Sequence, residues 1–92
     1  MAAQVRIPTP LRKFTEGKDT VEIEGDSISA LIADLDAKYP GLKDRICEED
    51  GSVRRFVNLY VNGDDIRFLD NLSSAVKDGD EVSIVPAIAG GV

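Results

Sequence analysis

One apolar stripe near the middle of the chain narrows what it can fold into more than any other feature. Ile28, Leu31, Ile32 and Leu35 stand at i, i+3, i+4 and i+7, on one face of a helix. Asp34, Asp36 and Lys38 take the solvated side. Gly25-Asp26-Ser27 comes just before, so Asp26 or Ser27 can cap the first free amides. Pro40-Gly41 ends the helix just after Tyr39. A lone long helix must bury its stripe on a sheet, and the rest of the 92 residues offers short strands to build one.

Residues 4–8 alternate Val5 and Ile7 with Gln4 and Arg6, which predicts a first strand. Pro8 and Pro10 break that pattern, so residues 9–19 form a connection with Leu11 and Phe14 tucked beneath it. The run 20–24 alternates cleanly and makes a hairpin partner, half buried through Val21 and Ile23. Beyond the helix, residues 42–46 allow one further turn, and residues 47–52 read as an acidic loop. Residues 55–61 are aromatic and β-branched, as a central strand requires. Asn62-Gly63 marks a tight turn. Residues 65–68 read as a short extended piece, and Leu72, Ala75 and Val76 as the lining of a single helical turn. After a turn at 78–80, residues 81–86 form the last strand, with Val82 and Ile84 facing inward. The expectation is a two-layer α+β domain over residues 1–86, with the last strand lying parallel to the first. Residues 87–92 carry no charge and should project as a mobile C-terminal tail.

The inventory excludes several classes of function. A formal charge of −6 disfavours nucleic-acid backbones and favours a basic or mixed partner surface. Histidine is absent, which removes the commonest general base and metal ligand together, so an independent enzyme is not expected. No apolar run reaches the ~20 residues of a membrane span, and the first residues lack a secretory pattern. The single Cys47 cannot form an internal disulfide, which fits a reduced cytoplasm. Glu48, Glu49 and Asp50 follow it and raise its thiol pKa, so it reads as passive. That acidic run lacks the alternate spacing of a calcium loop, and the glycines make no phosphate-binding loop; no metal site is expected.

The tail is the chemical candidate. Gly90-Gly91 can adopt backbone angles closed to other residues and can thread a narrow channel without a Cβ in the way. Together with Asn58-Leu59-Tyr60-Val61-Asn62 and Val85-Pro86-Ala87-Ile88-Ala89-Gly90-Gly91, the element order resembles the MoaD/ThiS family of β-grasp sulfur carriers, and within it the CysO-like branch. Residues 7–12, 55–58 and 65–68 look the same way, so the likeness spans nearly the whole chain. It implies a ubiquitin-like fold, a mixed sheet packed on one main helix.

It also implies a chemistry carried by others. A ubiquitin-activating-type adenylating enzyme would use ATP to activate the Gly91 carboxylate, and a sulfur donor would convert it to a thiocarboxylate. In CysO-like systems the acceptor is an aminoacrylate on a pyridoxal-phosphate-dependent cysteine synthase-like enzyme, and a metalloprotease releases cysteine. The carrier itself would bind no cofactor. Family members ready for activation end at Gly-Gly, whereas here Val92 follows. Val92 is read as a one-residue pro-segment removed before activation; the alternative is a paralogue that is not activated.

If Val57, Leu59 and Val61 face the helix, Phe56, Asn58 and Tyr60 turn outward, as do Ser83 and Val85 on the last strand. Phe56, Tyr60 and Val85 would then form an apolar docking patch leading to Ile88 and the tail, framed by Arg6 and Arg55. The rival within the fold is the small subunit of molybdopterin synthase. A ubiquitin-like protein modifier and a non-covalent adaptor complete the alternatives.

Overall fold

A computed structural model of the chain describes residues 2–55 and 57–86. Strands β1 (Ala2–Arg6), β2 (Thr20–Glu24), β3 (Val57–Val61), β4 (Asp64–Asp65) and β5 (Glu81–Pro86) form one sheet in the order β2-β1-β5-β3-β4. Helix α1 (Ile28–Lys38) and the short α2 (Leu42–Ile46) complete the regular elements, with 3₁₀ turns at Thr9–Thr15, Ile66–Phe68 and Asn71–Ser73. β1 and β5 run parallel, and every other pair is antiparallel. The arrangement is the β-grasp that the resemblance implied.

The helix forms where the stripe places it. The Ser27 Oγ accepts the Ala30 amide at 3.2 Å, and Asp26 makes no such cap. Ile28, Leu31, Ile32 and Leu35 are all buried, against Val5, Val21, Ile23, Leu59, Val82 and Ile84 from the sheet. Such burial contributes about 1.5–3 kcal/mol for each large apolar side chain. Gly25 lets β2 turn into the helix: at φ +153° a Cβ there would stand 2.6 Å from the Leu31 backbone nitrogen.

The structure departs from the sequence reading at several ends. β1 covers Ala2–Arg6 rather than 4–8, because its register against β2 runs from Ala2↔Glu24 to Arg6↔Thr20, and Pro8 has no amide to continue the ladder. The 9–19 connection contains a 3₁₀ helix, from which Leu11 and Phe14 reach the core as expected. The strand foreseen at 55–61 begins at Val57 and lies beside the centre of the sheet, which β5 occupies between β1 and β3. Only Asp64–Asp65 of the extended piece pairs, and Ile66–Phe68 coils into a 3₁₀ turn. The turn foreseen around Leu72, Ala75 and Val76 is limited to Asn71–Ser73. Ala75 instead bridges to Ser27, while Val76 is buried and Leu72 half-buried.

Candidate functional site

The sheet has one face covered by α1 and one open face, and the central strand β5 leads into residues 87–92. On the open face, ladder register sets Arg6 beside Ser83 and Ser83 beside Tyr60, with Asn58 beside Val85 one step nearer the chain end. The alternation foreseen for β3 and β5 holds: Leu59, Val61, Val82 and Ile84 are buried, whereas Tyr60 is half-buried and Val85 is 42% exposed. Arg6 lies at the margin of this face, 3.6 Å from the Glu81 carboxylate. Arg55 is also exposed. Five predicted site residues, Phe56, Ile88, Gly90, Gly91 and Val92, lie outside the described residues, as does the expected tail.

Where β1 and β5 part company at their C-terminal ends, a small cleft of about 230 Å³ is lined by Arg6, Pro8, Arg12, Ser83 and Val85. The Arg12 Nε donates to the Ile7 carbonyl at 3.1 Å, which ties the side chain to the backbone just after β1.

Sequence reasoning missed the β4 flank of the face. The Arg67 guanidinium donates to both Asp65 carboxylate oxygens, the shortest contact being 2.8 Å, and to the Asn58 side-chain oxygen at 3.0 Å. This hydrogen bonding holds the Asp65 carboxyl below its usual range and raises the Arg67 pKa. Beside it, Phe68 is 86% exposed and Leu69 44%. The expected extended piece hid it: a 3₁₀ turn advances about 120° per residue, so Phe68 does not share the inward direction of Ile66 as it would in a strand.

Cys47 is buried, and burial is the main cause of its raised thiol pKa, with Lys43 and Arg54 opposing. The direction agrees with the sequence reading; the cause differs, since that reading invoked the neighbouring carboxylates. Among the described residues, no group of three or more Cys, Asp or Glu side chains comes together to hold a metal ion. Among the same residues, no helix is long and apolar enough to cross a membrane.

Comparison with known proteins places this geometry. The model of the ThiS family matches residues 5–91, nearly the whole chain. The chain belongs to the ThiS family. Its ThiS-family relatives include the sulfur carrier protein CysO of Mycobacterium tuberculosis, 46% identical over 93 residues that cover 99% of this chain and all of the relative. A chain of the Amycolatopsis orientalis BexX/CysO complex superposes with a TM-score of 0.92 at 43% identity, covering 98% of this chain and all of that one. The molybdopterin synthase sulfur carrier subunit of M. tuberculosis is 35% identical over 75 residues, 80% of this chain and 76% of its own. Within the ThiS family, therefore, this chain is similar to CysO along its entire length and to the molybdopterin synthase subunit over a shorter part.

Proposed function

We propose that the protein is a sulfur carrier serving cysteine biosynthesis, and that its working group is the Gly91 carboxylate, freed when a peptidase hydrolyses the Gly91–Val92 bond. The observation that carries this reading is the full-length similarity to the carrier CysO, with Gly90-Gly91 following the central strand after residues 87–89. The Gly91 carboxylate attacks the α-phosphorus of ATP in an activating enzyme, pyrophosphate leaves, and an acyl-adenylate forms. Sulfide then displaces AMP and leaves a thiocarboxylate; a persulfide donor displaces AMP to give an acyl disulfide, whose S–S bond a second thiol cleaves, leaving a new disulfide and the thiocarboxylate. Its sulfur adds to an aminoacrylate on a pyridoxal-phosphate enzyme to give a thioester, which rearranges to an amide. A metalloprotease hydrolyses that amide, releasing cysteine and restoring the carboxylate.

In this scheme the chain is acted upon and catalyses nothing; ATP and pyridoxal phosphate belong to its partners. Residues 1–86 are the presenting body and residues 87–92 the working segment. Tyr60, Val85 and Arg6, with Phe56 and Ile88, are the proposed docking set, and a reduced cytoplasm is the proposed setting.

Intact mass spectrometry of the protein from its native cell tests the scheme. The expected species lacks the valine mass and then gains the difference between sulfur and oxygen. A mature form that retains Val92, together with failure of a chain ending at Gly91 to be adenylated by any candidate activator, overturns it. The similarity to the molybdopterin synthase subunit supports one second reading. Copurification in a tight complex with a larger synthase subunit would select it.

A further inference from the structure

We infer that the Phe68–Leu69 shoulder is a second docking element for a protein that receives the chain end, and that this partner offers an apolar pocket edged by lysine and arginine. The inference deepens the carrier reading and rests on it, since a carrier must be gripped by the enzymes it visits.

A single exposed apolar side chain is ordinary. Here Phe68 and Leu69 lie together with half-buried Tyr60 around an open depression of about 510 Å³ that also takes in Gly63, Asp64 and Asp65. A patch of this kind, apolar at its centre and polar at its rim, marks a protein contact.

The patch is also held rigid. Ile66 anchors the turn in the core, and the Asp65 carboxylate accepts the Arg67 backbone amide at 2.8 Å. Leu69 donates its amide to the Ile66 carbonyl, and the Asp70 amide donates to the Ser74 Oγ at 3.0 Å. Phe68 therefore projects from a backbone tied on both sides, so little ordering remains to be done on binding.

Charge selects the occupant. Asp65 is neutralised by Arg67, but Asp64 and Asp70 flank the patch, exposed and without an ion-pair partner among the described residues. A second copy would set carboxylates against carboxylates, whereas a basic rim complements them. The shoulder also continues the open face: Arg67 reaches Asn58, which stands opposite Val85 on the strand that leads to the chain end. One partner can span both.

The test places a photoreactive group by Phe68→benzoylphenylalanine in the full-length chain in its native cells, with Lys18→benzoylphenylalanine, on the exposed turn before β2 at the opposite edge of the sheet, as control. Irradiation is expected to give a discrete adduct with another protein at position 68 only, and the crosslinked peptide is expected to carry lysine or arginine. Asp64→Lys with Asp70→Lys should abolish most of that adduct, while Phe68→Ser leaves the melting temperature unchanged. No position-specific adduct, a dimer of the chain itself, or an acidic crosslinked peptide overturns the inference. An adduct without any oxygen-to-sulfur exchange at Gly91 would sink the carrier reading and leave the docking element standing. Exchange without the adduct would do the reverse.

Discussion

At the scale of single residues, two positions carry sharp expectations. Gly25→Ala places a methyl group within 2.6 Å of backbone in helix α1 at a φ of +153°, and neither can give way cheaply. We expect it to cost more than about 1 kcal/mol in a denaturant titration. Cys47 is buried with a raised thiol pKa, so alkylation by iodoacetamide at neutral pH should be slow in the folded protein and fast in denaturant. Rapid labelling of the native form would contradict that placement. The inward or outward sense of most strand residues could be read from alternation alone, because β2, β3 and β5 each have one face on the helix. Phe68 could not, because a strand and a 3₁₀ turn begin alike in sequence and differ only in what tertiary contacts hold them. The Asp65–Arg67–Asn58 network that fixes the turn joins residues up to nine positions apart.

At the scale of elements, α1 separates local from tertiary stabilisation. Ser27→Ala removes the cap on the Ala30 amide and should cost about 1 kcal/mol. Leu35→Ala empties a fully buried position and should cost about 2–5 kcal/mol, measured as a shift in the urea midpoint at constant slope. If the two changes cost the same, the stripe is not what holds the helix down. Those elements with strong local signals, β2, α1 and β5, matched the sequence reading in extent or nearly so. The weaker ones moved: β1 slid toward the N-terminus to satisfy its register with β2, and β4 shrank to two residues. Residues 9–15, with Pro10 inside, Pro8 just before and no long apolar period, coil where Phe14 packs near Gly41 with Lys13 and Arg45 each about 5.5 Å from its ring.

For the molecule as a whole, acid and base should each erode stability for a stated reason. Among the described residues, four carboxylates are held below their ordinary range. Asp34 is held chiefly by the Glu24 amide, Asp50 by the Ser52 hydroxyl, Asp65 by the Arg67 guanidinium and Asp80 by the Asn62 side chain. Their contribution is complete above the unfolded value of about 4 and is lost as pH falls through the lower folded values. Cys47 acts oppositely: its folded pKa is raised, so its contribution is complete below about 8.5 and declines as pH rises toward the folded value. The melting temperature should thus be flat between these limits, and Asp65→Asn should blunt the acid fall. A melting temperature that stays level below pH 4 would show that these carboxylates are not bound as described.

The parallel pairing of β1 with β5 has a mechanical corollary. Traction applied between the two chain ends draws these neighbouring strands in opposite directions along their length. Their ladder hydrogen bonds are then loaded together in shear, and none can peel away first. A body loaded in this way resists unravelling from either end.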